Sequence, residues 1–224
     1  NNKHPLKCSY LSITEGDMKD VKVVSGCRKK LFSVGIKADK FVPVSAEQQK
    51  RLKQKYGFDP SKPLVIHVGH CSTWRGLEDF AKIHAAQRMV AASGMFEDKN
   101  VVRTLTEAGV KIHSGYLENV EEIYQMADAY LFPTRSTEFV ISIPLSVMEA
   151  LSCGVPVIGY KSFENLHAIA SFPGAITLID SAEQLDGILS EVIKKKSSHS
   201  LLEKADSWDD VARNVLQMVQ EENT

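Results

Sequence analysis

The residues best suited to chemistry in this sequence lie in two polar segments that could bind phosphate. The first segment, residues 69–76, has glycines at both ends, Gly69 and Gly76, and carries two side chains that can be cationic, His70 and Arg75. An arginine fork matches phosphate oxygens at any ordinary pH, whereas a histidine is a cation only if its pKa is raised. The same segment could instead be a plain turn between a strand and a helix, in which Arg75 is solvated.

The second segment surrounds Pro144, which suits the first turn of a helix. The first amides of that helix, around Ile143, Leu145 and Ser146, would be unpaired and would suit an anion such as a diphosphate. Glu149 would follow a little over one turn later, where its carboxylate could accept hydrogen bonds from two vicinal hydroxyls, as a ribose offers. Glu149 is equally interpreted as an acid that stabilises the N-terminal end of the helix dipole.

Both segments follow short apolar runs, and six such runs recur along the chain with enough residues between them for a helix. They span residues 64–69, 88–93, 110–115, 129–134, 155–160 and 175–180. Apolar runs without alternation indicate strands that are covered on both faces, and helical crossovers imply that these strands are parallel. The sequence therefore predicts an α/β domain with a doubly wound parallel sheet, in which ligands bind beyond the carboxyl ends of the strands.

Helical periodicity predicts the remaining elements. Helices are expected over residues 47–56, 77–86, 120–127, 144–152, 182–193 and 208–219. Ser181 with Gln184 suits a capping box, Gly154 suits the position after a helix, and residues 194–200 are typical of a loop. Near the start of the chain, short strands are expected over residues 21–25 and 41–44, while residues 1–20 are polar and weakly periodic.

The composition excludes several classes of protein. The chain has 224 residues, 27 Lys+Arg against 28 Asp+Glu and 43% hydrophobic residues, as ordinary globular proteins do. It has no basic block to hold a nucleic acid, and its apolar runs are shorter than the roughly 20 residues that span a bilayer. We therefore expect a soluble protein, or a peripheral membrane protein at most. Four scattered cysteines favour a reduced compartment, and no cluster of histidines or carboxylates supports a metal site.

Four motifs carry a family resemblance when they are taken in order. They are the glycine-bounded segment 69–76, Gly115-Tyr116-Leu117, MADAYLFP at residues 126–133 and PLSVMEALSCGVPVI at residues 144–158. From about residue 40 onward, their order resembles the donor-binding half of family 4 retaining glycosyltransferases of the GT-B architecture. The resemblance implies a Rossmann-like fold, the C-terminal half of a GT-B enzyme. It also implies a nucleotide-sugar domain over residues 45–206, a C-terminal helix over 207–224 that crosses back to an N-terminal acceptor domain, and a remnant of that domain over 1–44.

The resemblance also implies roles for individual residues. The family's two cationic positions, which neutralise the leaving diphosphate, fall on His70 and Arg75, and the adjoining glycines are Gly69 and Gly76. Histidine is a departure from the family at position 70, because the family carries arginine there. No cofactor is expected, since the nucleotide-diphosphate sugar is the donor substrate, and metal independence is usual for this architecture.

The family's paired glutamates are only half present. Glu149 falls on the glutamate that contacts the ribose, but Ile141 occupies the position of the glutamate that contacts the donor sugar. Glu138, three residues upstream, could substitute if residues 139–141 bulge. Tyr116 and Leu117 fall where the family flanks the nucleobase. The expected donor-binding residues are therefore Gly69, His70, Arg75, Gly76, Tyr116, Leu117, Ile143, Leu145, Ser146 and Glu149, and the expected catalytic residues are Arg75, Glu138 and Glu149.

The resemblance implies a retaining glycosyltransferase of the hexosyltransferase type, of which this chain is the donor-binding domain and is inactive by itself. The acceptor, a sugar or a lipid-linked molecule, would bind to a missing N-terminal half. The first residue is Asn1 rather than methionine, which fits a trimmed chain or a piece of a longer one. We expect a cytoplasmic location, with any contact to the inner face of a membrane made through the missing half.

Two alternatives remain open at this point. Ile141, His70 and the missing half favour a non-catalytic nucleotide-sugar-binding or regulatory module of the same fold. A GT-B relative such as a nucleotide-sugar epimerase is a further alternative, but it would need catalytic carboxylates and histidines spread across two halves.

Overall fold

The computed structural model describes residues 9–20, 28–95, 97–138, 140–204 and 206–220. The first part of the chain forms a small parallel pair, strand β1 (Ser9–Ser12) beside strand β2 (Arg28–Leu31), and helix α1 (Glu15–Asp20) follows β1. The strand expected over residues 21–25 lies outside the described residues.

The strand expected over residues 41–44 is wrong, because this stretch is a loop. Its carbonyl groups accept hydrogen bonds from side chains rather than from a neighbouring strand. The carbonyl of Phe41 accepts from the hydroxyl of Ser152 at 2.6 Å, and that of Val42 accepts from the amide of Gln125 at 3.1 Å. The apolar character that suggested a strand instead serves packing, since the Phe41 ring lies edge-on to Tyr124.

Six parallel strands form the main sheet. They are β3 (Leu64–Gly69), β4 (Gln87–Ala92), β5 (Lys111–Ser114), β6 (Ala129–Leu131), β7 (Val157–Tyr160) and β8 (Ile176–Ile179), in the order β5-β4-β3-β6-β7-β8. Each strand overlaps one of the six apolar runs, so the predicted doubly wound sheet is confirmed. The order reverses between β3 and β6, where the connections that follow these strands diverge and open a crevice.

Apolar side chains cover both faces of this sheet. Leu64 and Ile66 belong to one core cluster and Val65 to the other, because successive side chains of a strand point to opposite faces. Burial on both sides explains why the strands are continuous apolar runs rather than alternating ones.

Six helices accompany the sheet. They are α2 (Ala46–Lys55), α3 (Lys99–Glu107), α4 (Val120–Met126), α5 (Leu145–Ser152), α6 (Leu185–Ile193) and α7 (Trp208–Gln220). All except α3 were expected. In the capping box at residue 181, the backbone amide of Ser181 donates to the Gln184 side chain at 3.2 Å. Gly154 follows α5 with φ of 72°.

The helix expected over residues 77–86 is only a six-residue 3₁₀ helix, Leu77–Lys82. The carboxylate of Asp186 accepts from the backbone amides of His84 at 2.8 Å and Ala85 at 3.1 Å. These amides therefore leave the helical pattern and donate to a carboxylate from a later part of the chain.

Segments from the two ends of the described chain pack together. The amide of Ile36 donates to the carbonyl of Asp206 at 3.0 Å, and Val34 and Ile36 are buried in the main core. The predicted boundaries at residues 44 and 206 stay predictions. No helix in the described part of the chain is long and apolar enough to cross a membrane.

Candidate functional site

A cavity of about 840 Å³ opens at the carboxyl ends of β3 and β4, between the loop after β5 and the start of α5. It therefore lies at the crevice that the strand order predicts. Most of the expected site residues line it: Gly69, His70, Arg75, Tyr116, Leu117, Glu138, Leu145, Ser146 and Glu149.

Two expected residues, Gly76 and Ile143, stand outside the cavity wall. Gly76 has φ of 67°, and a methyl group added there would lie 2.7 Å from the carbonyl oxygen of Pro133. Its glycine is therefore needed for the turn and for close packing, and its contact with a donor stays a prediction. The side chain of Ile143 packs against the main core instead.

A buried histidine supports the loop after β3 from below. His67 is 1% exposed, and its Nδ1 donates to the carbonyl of Leu131 at 3.1 Å. Burial lowers the pKa of His67 to about 4, so the ring is neutral and its Nε2 carries no proton. A methyl group at Gly69 would lie 2.7 Å from this nitrogen, so Gly69 lets the backbone approach the ring.

Arg75 gives the cavity a cationic side chain. It ends the 3₁₀ helix Thr73–Arg75 and is partly buried. Burial lowers its pKa from the ordinary value, yet a guanidinium stays charged in proteins. Within the described ranges, no carboxylate forms an ion pair with Arg75, whereas Arg135 pairs with Asp79 at 2.7 Å. Arg75 therefore has its charge available for an anion in the cavity.

Helix α5 begins at the cavity wall. Pro144 is its N-cap residue, and the carbonyl of Pro144 accepts from the amide of Val147 at 3.1 Å. The amides of Leu145 and Ser146 donate to no backbone carbonyl among the described residues. Because the positive end of the helix dipole coincides with these two amides, the start of α5 can bind an anion.

Glu149 lies in the same cavity wall and is held by a buried tyrosine. The hydroxyl of Tyr124, from α4, donates to Oε2 of Glu149 at 2.7 Å. Burial raises the pKa of Glu149, and the hydrogen bond from Tyr124 opposes that effect because it stabilises the carboxylate. One carboxylate oxygen is thus oriented by the protein, and the group remains able to accept from a ligand hydroxyl.

Glu138 and Ile141 both line the cavity. The amide of Val140 donates to the carbonyl of Thr137 at 3.4 Å, so the chain turns here and Glu138 reaches the cavity from upstream. Ile141 is 49% exposed although it is apolar. The substitution of Glu138 for the missing glutamate is compatible with this arrangement and stays a prediction.

The opposite wall is formed by the loop after β5. Gly115 has φ of 114°, and the next residue, Tyr116, is 88% exposed. Leu117 packs against the main core. An exposed ring beside an apolar side chain offers a flat surface on which a nucleobase can stack.

Two tyrosines of this site were not expected from the sequence. Tyr124 orients Glu149, while the hydroxyl of Tyr130 donates to the carbonyl of Val68 at 3.2 Å and also bonds with Ser146. Both residues stand at apolar positions of their elements and are fully buried. The one available signal was their type, because a buried tyrosine usually needs a partner for its hydroxyl.

Possible metal ligands are dispersed in the described part of the chain, where no group of three or more His, Cys, Asp or Glu side chains could hold a metal ion. His67 is buried and His84 is exposed. Cys71 and Cys153 are buried free thiols, and Cys8 and Cys27 lie outside the described residues.

A family model and several known proteins are similar to this chain. The sequence model described as "Glycosyl transferases group 1" matches residues 48–215. Among curated proteins, the sulfoquinovosyl transferase SQD2 of Arabidopsis thaliana is 27% identical over 137 residues, which are 59% of this chain and 26% of that protein. The chain spans between 26% and 42% of the length of the curated relatives that it matches.

Two solved structures confirm the fold. The Anabaena protein Alr3699/HepE in complex with UDP-glucose has a TM-score of 0.68 at 15% identity, with 86% of this chain and 57% of that one covered. The C-terminal domain of a group 1 family protein (LpcC) from Francisella tularensis has a TM-score of 0.52 at 16% identity, with 81% and 98% covered. The predicted Rossmann-like fold, the C-terminal half of the GT-B architecture, is therefore confirmed.

Proposed function

Because this chain belongs to the glycosyl transferases group 1 family, we propose that its cavity binds a nucleoside-diphosphate sugar and supplies the donor half of a retaining glycosyltransferase. One observation carries the proposal. Arg75 has no ion-pair partner among the described residues, and it shares a cavity with the free amides that begin α5 and with Glu149. These groups match the charged and the hydroxyl-bearing parts of a nucleotide diphosphate.

We assign the parts of the donor as follows. The diphosphate binds to the amides of Leu145 and Ser146 and to Arg75, with His70 beside it. The ribose hydroxyls donate to Glu149, and the base lies against Tyr116. UDP is the first nucleotide to test, since the similar Anabaena protein was solved with UDP-glucose.

In the proposed reaction, the bond between the anomeric carbon and the diphosphate oxygen breaks, and the bonding electrons leave with the diphosphate. Arg75 and the helix amides stabilise the negative charge that develops, which is the kind of electrostatic stabilisation that often dominates catalysis. Glu138 contacts the sugar in place of the missing glutamate. The acceptor hydroxyl then forms the new bond on the same face of the sugar, and its proton passes to the oxygen of the departing diphosphate.

The acceptor and the cellular location are proposals about the longer protein of which this chain would be a part. We propose that a second domain binds a sugar or lipid-linked acceptor, and that any contact with the inner face of a membrane is made by that domain. We propose a cytoplasmic location, because four scattered cysteines suit a reducing compartment better than a disulfide framework.

Calorimetry tests the binding step. The chain should bind UDP, and Glu149→Ala should weaken that binding by about 1–3 kcal/mol, because a charged acceptor for the ribose is lost. Glu47→Ala is a matched control, since Glu47 is an exposed acid of α2 whose ion pair is with the neighbouring Arg51. Equal affinities of the native chain and Glu149→Ala would remove Glu149 from the site.

A second candidate is a non-catalytic nucleotide-sugar-binding module, and the exposed Ile141 favours it. This side chain occupies the position where the family has a glutamate beside the sugar. Both candidates predict that UDP binds. Only the transferase predicts that the longer protein consumes a UDP-sugar, measured as UDP release, and that Glu138→Gln slows that release more than it weakens UDP binding.

A further inference from the structure

Arg135 forms a cluster that joins the two loops of the site without lining the cavity. Its Nη2 donates to Oδ2 of Asp79 at 2.7 Å, and its guanidinium lies 3.9 Å from the centre of the Tyr160 ring. The hydroxyl of Tyr160 donates to the same Asp79 oxygen at 2.6 Å. Three elements therefore meet at one carboxylate: the loop after β3, the loop after β6 and the end of β7.

The cluster is also in contact with the turn that follows Arg75. Nη1 of Arg135 donates to the carbonyl of Pro133 at 3.3 Å, and a methyl group on Gly76 would lie 2.7 Å from both of these atoms. The amide of Asp79 donates to the carbonyl of Gly76 at 3.2 Å. Any displacement of Arg135 would consequently be transmitted to the turn at Gly76, one residue from Arg75.

Without Arg135, Asp79 would be a little-exposed carboxylate with no cationic partner, in the same loop as Arg75. It follows Arg75 by four residues in the same loop, and its side chain is only 15% exposed. A carboxylate so little exposed requires a partner, because a buried unpaired charge is costly. Arg135 is the partner in this structure, and Arg75 is left unpaired by the described carboxylates.

We infer that Arg135 is a positioning residue, which neutralises Asp79 and fixes the Gly76 turn so that Arg75 stays directed at the diphosphate. This inference rests on the proposed function. The segment 133–138, which links β6 to Glu138, is fixed at its start by the same contacts. One ion pair thus supports both side chains that act at opposite ends of the bond to be broken.

A charge-rescue experiment tests the inference. Arg135→Gln should weaken UDP binding about tenfold, since Asp79 then competes for Arg75, and Arg135→Gln/Asp79→Asn should recover to within about threefold of the native affinity. Asp79→Asn alone should also stay within about threefold. Arg88→Gln is the matched control. Arg88 donates to the carbonyl of Phe80, which lies in the same 3₁₀ helix as Asp79, but Arg88 itself is near the start of β4, away from the carboxyl ends of the strands where the cavity opens. This variant should leave UDP affinity unchanged.

The outcomes separate the inference from the function on which it rests. Rescue of UDP affinity in the double variant supports the inference, because the loss in Arg135→Gln is then caused by the unpaired Asp79 carboxylate and not by the absence of the Arg135 side chain itself. Native affinity in Arg135→Gln would overturn it, and so would a double variant that binds no better than Arg135→Gln. Melting temperatures of the variants identify any that fail to fold, and Arg135→Met, which removes the charge but keeps a long side chain, then takes the place of Arg135→Gln with the same expected loss. A native chain that binds no nucleotide diphosphate would instead refute the proposed function.

Discussion

Removal of a single oxygen atom from Tyr124 should change how nucleotide binding depends on pH. In Tyr124→Phe, the 2.7 Å hydrogen bond to Glu149 is lost, while the ring still fills its buried site. A hydrogen bond to a charged group contributes about 1.5–3 kcal/mol. Its loss removes that stabilisation from the carboxylate, so the pKa of Glu149 rises further above its ordinary value.

The sign of the effect follows from the form that binds. We expect the ribose to require the ionised carboxylate as its acceptor, so protonation of Glu149 weakens binding. The native chain and Tyr124→Phe should therefore bind UDP with similar affinity at pH 8.5. The ratio of the native affinity to that of the variant should grow as the pH falls. It should reach about tenfold at the acid end, because about 1.4 kcal/mol corresponds to a factor of ten.

Titration calorimetry with UDP between pH 5.5 and 8.5 measures this ratio. Tyr56→Phe is the control, because the hydroxyl of Tyr56 donates to Glu122 at 2.8 Å in a similar pair outside the cavity. Parallel pH profiles for the native chain and Tyr124→Phe would refute the assignment of Glu149 as the ionised ribose acceptor. A pH dependence that appears equally in Tyr56→Phe would show that the change is not specific to the site.

Two predictions concern stability. The neutral, buried His67, whose pKa is about 4 against an ordinary 6.5, should make the fold less stable as the pH falls from 6.5 to 4, by up to about 3 kcal/mol. Urea unfolding should show a weaker loss in His67→Gln, and identical losses would contradict the assignment. Gly76→Ala should cost about 2 kcal/mol or more in thermal unfolding, whereas Gly174→Ala, with φ of 81° and its nearest neighbour at 3.9 Å, should cost about 1 kcal/mol. Equal costs would show that close packing at Gly76 is unimportant.

The sheet could be predicted from sequence because each strand is buried on both faces. Such a strand must be apolar at every position, so β3 was found with its bounds, Leu64–Gly69. The place of the site followed from the same pattern, since parallel strands bring their carboxyl ends to one edge. Local sequence patterns predicted the secondary structure less well where a side chain distant in sequence determines the backbone conformation. The 3₁₀ helix ends at residue 82, and the amide of His84 just beyond it binds Asp186, which is about a hundred residues further along the chain. A contact over that distance leaves no periodic pattern in the local sequence.

The positioning residues of the site were missed for a related reason. Tyr124 and Glu149 are 25 residues apart, and Arg135 and Asp79 are 56 apart, so neither pair has a helical or strand spacing. Residues with a role were found when their type alone suggested one, as with Arg75 and Glu149. Side chains that act through a partner become recognisable only when the fold has brought the two together.

The free amides at the start of α5 make part of the cavity wall independent of side-chain identity. Leu145 or Ser146 can be replaced by any residue other than proline without loss of its backbone N–H group, provided that Pro144 still caps the helix. Natural variation can therefore alter the surroundings of such a wall extensively while its hydrogen-bond donors persist. The chain and the Anabaena protein illustrate the scale of that freedom, since they keep one fold with 15% of their aligned residues in common.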